Sequence, residues 1–558
     1  VPESHGPPSP APAREVLFGL PPAGRRWPGA TRAAFAMGIP ALAAVALGYP
    51  QQALTVTIGA FAVIYGEGRP YRARWKVVAL AALALVAASW VGALVGEPVR
   101  HAIADGGSPA LLMWVVLVMS AVAVVGTYTV DSLRLGPPGV WFFVLTTQIG
   151  ALNVQSGMSP TEIALWCALG GASAVAVSMV GALRTPHGPE VVASAAATTA
   201  IDDYVARQAA GRGSPELRHR AAQMLQVAWQ SLYDGGLVAR GHPLVEVLSA
   251  AQVRLSGAIR RDPSLDPDSD LDDVRPQPPM PRPGVRYRFL RALHPDSHAW
   301  TSATRVLVAC LVAGGVTVAI GTDRPDWAVI TAVLVLHQGP DRILGTYRGI
   351  HRVAGTVVGV VVFAVLFSLH LSGVWLVLTV MALQLLFELF VTRNYGVAVV
   401  FITPLAILIG NTGQPHAAVA PVVWERLVET AVGVAVALVV LWTVDRHAHR
   451  RVLRWTDRRV ALFTGLTLQA LRAPAGGDAL LPLRRDLTFE LHSSSLAGID
   501  AAHNEPAWAA ARWPAHSDLH HLGFDVLAGC WSAAAGRRPP DDEITGWERR
   551  LAAFARNG

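Results

Sequence analysis

The chain alternates apolar runs with short turns that carry much of its arginine, and the alternation recurs twelve times. The runs are 33–48, 53–65, 77–95, 111–128, 141–152, 163–183, 304–320, 327–336, 353–369, 374–391, 396–410 and 427–444. About 20 apolar residues cross a bilayer as a helix. This pattern predicts an all-α polytopic membrane protein with about 12 transmembrane helices. Composition agrees: 52% of residues are hydrophobic and 15% charged. That balance excludes an ordinary soluble protein.

Two of the runs, 53–65 and 327–336, are too short for a plain crossing. They occupy corresponding places in two halves of the chain. An offset of 273 residues lays Ala30-Thr31-Arg32 on Ala303-Thr304-Arg305, Gly48 on Gly321, Gly66 on Gly339 and Arg69 on Arg342. Six runs per half start both halves on the same side, so the expectation is two parallel six-span repeats. Paired short spans point to a transporter's binding site at the repeat interface. Tilted helices with odd ends are the plainer reading.

The eighth run and the segment after it are the most informative. Asp326 precedes the ten apolar residues, and His337 and Gln338 come directly after them. These polar ends belong in an interface, a cavity or protein. Gly339-Pro340-Asp341 breaks the helix. Arg348, Arg352 and Thr356 then recur every fourth residue, on one helical face. Gly355 and Gly359 form a small-residue pair that lets another helix approach closely. The arginines read either as anchors at the cytoplasmic interface or as groups that meet an anionic substrate.

Charge orients the chain. The turns after runs two, four, eight and ten carry Arg69, Arg72, Arg74, Lys76, Arg134, Arg342, Arg348, Arg352 and Arg393. The opposite loops carry Arg100, Arg324 and Arg426. Both termini are therefore expected in the cytoplasm, with the chain multi-pass in the cell (inner) membrane. The expected organisation is a flexible tail (1–26, without a cleavable leader pattern), a first membrane repeat (27–183), and a cytoplasmic helical region with a linker at 262–284 (184–298). A second membrane repeat (299–444) and a C-terminal cytoplasmic helical region (445–558) complete the chain.

The net charge of +7 sits beside apolar runs, so its first partner is the bilayer surface and not nucleic acid. Cys167, Cys310 and Cys530 lack ligand spacing, and no metal-binding helix, hydrolase triad or phosphate loop is evident. No metal, no cofactor and no catalytic residue is expected, and homo-oligomerisation is left open.

Several residues fit together as a pattern: Pro325-x-Trp327-Ala328, Thr331, and Arg352-x-x-Gly355-Thr356-x-x-Gly359. Tyr395, Thr403-Pro404, Arg426 and Thr430-x-x-Gly433 extend it. Together they resemble the fusaric acid resistance / aromatic acid exporter family. The resemblance covers 303–444 well and 30–183 more loosely. It implies a proton-coupled secondary transporter that exports organic anions, with aromatic carboxylic acids the class it points to. An organic-anion channel and a non-transporting envelope scaffold are the alternatives.

On this reading the substrate pathway involves Arg348, Arg352, Trp327, Thr331, Tyr395 and Arg69. Glu388, inside the tenth run, and His337 are the candidate coupling groups. A Glu388 paired with Arg393 or another loop arginine is the plainer reading.

Overall fold

The computed structural model describes residues 6–21, 26–136, 138–260, 278–410, 419–473, 477–534 and 538–557. Residues 262–277 of the expected linker lie outside the described residues. Among the described residues the chain is helical throughout, without strands.

A short helix, α1 (Ala13–Phe18), precedes the first membrane group: α2 (Trp27–Ala46), α3 (Ala53–Ala60), α4 (Tyr71–Ala104), α5 (Met113–Leu133), α6 (Trp141–Asn153) and α7 (Pro160–Met179). Next come α8 (Gly188–Ala209), α9 (Pro215–Gly235), α10 (Pro243–Arg260) and α11 (Val285–Ala292). The second membrane group is α12 (His298–Ile320), α13 (Asp326–Leu336), α14 (Arg342–Ser368), α15 (Gly373–Phe390), α16 (Tyr395–Gly410) and α17 (Val419–Thr443). The chain closes with α18 (Ala448–Arg472), α19 (Gly477–Asn504), α20 (Pro506–Ala534) and α21 (Asp541–Asn557).

Each of the twelve apolar runs lies within one helix or covers most of one. Eight of these helices (α2, α4, α5, α7, α12, α14, α15 and α17) are long and apolar enough to cross a membrane. The other four are shorter and lie inside. Every residue of α3 and of α13 is buried. Helices apolar on all sides have no polar face for solvent and belong in a core. The long helices surround them and carry exposed Leu80, Leu83, Trp90, Val361 and Trp375.

Two helix starts come earlier than the sequence suggests. Helix α4 takes in Arg72, Arg74 and Lys76, which the sequence places in a turn. Its 34 residues span about 51 Å, more than a hydrocarbon core of about 30 Å. Helix α14 starts at Arg342 because Asp341 caps it, its Oδ1 accepting from the amides of Ile343 at 2.9 Å and Leu344 at 3.1 Å. Such a cap contributes about 1 kcal/mol.

Packing runs in matched pairs through the two groups. Helices α2, α3 and α7 touch one another, as do α12, α13 and α17. Helix α4 packs on α6 and α7, and α14 on α16 and α17. Across the halves, α2 meets α15 and α12 meets α5. One polar contact repeats as well. Arg32 donates to Glu67 at 2.6 Å, and Arg305 donates to the Pro340 carbonyl at 2.9 Å. These four positions correspond under the 273-residue offset. Each arginine ties the first helix of its half to the turn after the short one.

Helices α8–α10 and α18–α21 form two further apolar cores. They meet where α10 packs on α20 and Arg260 pairs with Glu543 at 2.7 Å. Glu490 accepts from Arg291 and Arg459, both at 2.8 Å through Nε. In the stretch expected as a flexible tail, the Leu17 carbonyl accepts from Asn394 Nδ2 at 3.0 Å, and α1 touches α14.

Candidate functional site

A cavity of about 670 Å³ opens between the two membrane groups. Glu67 and Arg26 come from the first group, Trp141 and Phe142 from α6, and His337 and Gln338 from the end of α13. Arg352 on α14, Phe387 and Glu388 on α15 and Tyr395 on α16 complete the wall. The volume lies within the range of small-molecule sites.

The wall has three chemical parts. Trp141, Phe142 and Phe387 form an aromatic surface. The first two rings lie 4.1 Å apart, and Phe387 meets them edge-on at 6.2 and 6.4 Å. Arg352 supplies a guanidinium that is 2% exposed. Glu388 supplies a carboxyl, whose Oε1 accepts from Gln384 Nε2 at 3.2 Å. Among the described residues Glu388 has no ion-pair partner within 4 Å. Arg393, its expected neighbour, instead donates from Nε to the Pro21 carbonyl at 2.9 Å.

The Arg352 guanidinium and the Tyr395 hydroxyl stand side by side on this wall.

The structure brings four of the sequence candidates together: Arg352, Tyr395, Glu388 and His337. It places the others elsewhere. Arg348 shares a helical face with Arg352, yet its Nη1 donates to the Val335 carbonyl at 2.8 Å and ties α14 to α13. Trp327 lies under Arg426, whose Cζ is 3.5 Å from the ring centroid. Thr331 packs against Gly433, where a Cβ would lie 2.8 Å from its own. Arg69 lines a separate cavity of about 270 Å³ with Asp234, Arg282 and Arg288.

Gly355 and Gly359 face α16. A Cβ on Gly355 would lie 2.5 Å from the Gly396 carbonyl oxygen, and one on Gly359 would lie 2.7 Å from Thr403 Cβ. Their smallness sets the position of α16, and with it Tyr395.

The aromatic surface is not legible in the sequence. Trp141 and Phe142 lie in a run without charge or motif, and Phe387 is one of many apolar residues beside Glu388. Their convergence depends on the packing of α6 against the second group.

His337, Gln338 and Pro138 also line a second cavity of about 440 Å³. It lies between the membrane helices and the C-terminal helices. Three arginines, Arg134, Arg288 and Arg291, surround it together with Asp131, His298 and His492. His337 and Gln338 thus stand between an aromatic chamber and a cationic one.

Residues 308–440 match the family model described as fusaric acid resistance protein-like. This covers most of the block that holds the sequence motifs. Over 95% of its length the chain aligns at 24% identity with the Uncharacterized membrane protein YvaC of Bacillus subtilis (strain 168), of which 89% is covered. No solved structure matches the chain.

Proposed function

We propose that this membrane protein, with its fusaric acid resistance-like block at 308–440, is a secondary transporter that exports aromatic carboxylate anions in exchange for protons. The observation that carries the reading is the joint wall of the cavity: aromatic rings, the Arg352 guanidinium and the Glu388 carboxyl. An aromatic carboxylate asks for a flat apolar surface at one end and a forked donor at the other. Trp141, Phe142 and Phe387 answer the first need and Arg352 the second.

Glu388 has a different task. A carboxyl inside a membrane helix is costly when charged, so it takes up and gives back a proton as its surroundings change. Proton uptake from outside and anion release to outside then alternate at one cavity. Both movements run with an inside-negative potential, so the potential and the proton gradient drive the same cycle. The cationic chamber beside His337 draws anions from the cytoplasm before they reach the aromatic wall.

This cycle places the protein in the inner membrane with both termini in the cytoplasm. The arginine-rich turns support that orientation. We further propose that a rotation about the membrane normal relates the halves. The matched Arg32–Glu67 and Arg305–Pro340 contacts support it.

Flux in proteoliposomes with an imposed pH gradient tests the function. Uphill movement of an aromatic carboxylate is expected. Passive conductance without coupling would make the protein a channel, and no flux would make it a scaffold.

A further inference from the structure

Three potential metal ligands meet in the C-terminal helices, far from the transport cavity in sequence. His516 and His520 lie four residues apart on α20 and so share one face. Asp457 comes from α18 and Ser494 from α19. Asp457 Oδ1 lies 2.9 Å from His516 Nδ1 and accepts from Ser494 Oγ at 2.5 Å. The same Ser494 hydroxyl lies 3.0 Å from His520 Nε2. The two imidazole rings are 4.3 Å apart.

The geometry points to a binding site for one divalent transition-metal ion, held by Asp457, His516 and His520. Each residue offers one ligand atom, and the three atoms lie within 4.8 Å of one another. Tetrahedral ligands about 2.0–2.2 Å from a common ion stand about 3.4 Å apart. The observed separations, from 2.9 Å upward, bracket that value. Closing on an ion asks for small side-chain movements within fixed helices.

Asp457 pairs directly with His516, and Ser494 links it to the second buried imidazole on the same face, His520. The side chains of His516 and Asp457 are 5% and 3% exposed, and His520 is 8% exposed. Two nitrogens and one carboxylate oxygen suit Zn²⁺, Co²⁺ or Ni²⁺ better than Ca²⁺ or Mg²⁺, which prefer oxygen ligands.

The surroundings fix the ligands in place. A Cβ on Gly498 would lie 2.6 Å from His516 Nε2, so only glycine lets α19 pass the ring this closely. Trp513 packs on the other side, its ring 5.2 Å from that of His516. Ser494 bridges Asp457 and His520 and orients both. A bound ion would tie α18 to α20 beside α19, a role in stability and not in transport.

Co²⁺ titration of the full-length, chelator-treated protein in detergent tests the site. One Co²⁺ per chain is expected, with visible d–d absorption of a low-symmetry site, displaced by Zn²⁺. Asp457→Asn and His520→Gln should each weaken binding by about 100-fold or more and abolish the rise in Tm that Zn²⁺ gives the wild type. If a variant fails to fold, the wild-type stoichiometry and spectrum decide alone. Absence of a saturable one-to-one site in the wild type, or wild-type affinity in both folded variants, would overturn the assignment.

Discussion

Arg426 lies over Trp327, its Cζ 3.5 Å from the ring centroid, at the start of α13. Both side chains are buried, and a desolvated pair of this kind contributes about 2 kcal/mol. Trp327 is thus engaged in holding α17 to α13. Trp327→Leu should lower Tm while leaving KM for an aromatic carboxylate near the wild-type value. Phe387→Leu should do the reverse, raising KM several-fold with little change in Tm. Melting curves and flux kinetics on both variants check the split. A raised KM in Trp327→Leu with unchanged Tm would return that ring to the substrate pathway.

Packing of α14 against α16 rests on two glycines. A leucine at 359 would drive into Thr403 and the Val400 carbonyl. Overpacking of this kind costs about 1–3 kcal/mol. Gly359→Leu should reduce the yield of monodisperse protein in size-exclusion chromatography and lower Tm, and Gly359→Ala should do so less. Wild-type behaviour in both variants would mean that α16 can shift without cost.

Much of this fold is legible in the amino-acid order. Uniform apolarity in 53–65 and 327–336 marks the two short helices that prove to be wholly or largely buried. The break at Gly339-Pro340-Asp341 marks the turn between α13 and α14, though α14 starts well before its apolar run. The candidate site is legible only in part. Arg352, Glu388, His337 and Tyr395 stand out because charge and polarity are rare in apolar runs. Arg348 stands out for the same reason, yet a carbonyl one helix away takes its donor. Trp141, Phe142 and Phe387 are silent, because an aromatic ring among apolar residues has no sequence mark of its own. His516 and His520 carry no mark as ligands either, because Asp457 is brought to them only by the packing of α18 on α20.

Asp500, on α19 next to the membrane helices, gives a pH signature. Burial and the neighbouring Asp341 push its pKa up to about 8. In the unfolded chain a carboxyl of this type titrates near pH 3.9. Between about pH 4 and pH 8 the folded state therefore binds the extra proton, and stability falls as pH rises through that window. Its side chain keeps 21% exposure, which screens the effect to about 1–2 kcal/mol. Asp500→Asn should be more stable than the wild type at pH 8 and nearly equal to it at pH 4. Denaturation series in detergent at the two values check this. An equal difference at both values would place the titration elsewhere.

Orientation is open to chemical labelling, since Cys167, Cys310 and Cys530 are all buried and give little background. Asp105 comes directly after α4, and His370 lies between α14 and α15, both exposed. Asp541 is exposed at the start of α21. In intact cells an impermeant thiol reagent should reach Asp105→Cys and His370→Cys but not Asp541→Cys. The opposite pattern would invert the topology.

The central claim is that Arg352 and Glu388 divide the work at one cavity, the first binding the carboxylate and the second carrying the proton. Glu388→Gln keeps the shape and the Gln384 contact but cannot release a proton. Arg352→Lys keeps the charge but loses the guanidinium fork. Paired flux assays in proteoliposomes, one of anion exchange at equal pH and one of uphill transport under a pH gradient, separate the two roles. Glu388→Gln should exchange anions near the wild-type rate and fail to move them uphill. Arg352→Lys should insert and fold normally yet lose about tenfold or more in both assays. Uphill transport at the wild-type rate in Glu388→Gln, or full exchange in Arg352→Lys, would contradict the account.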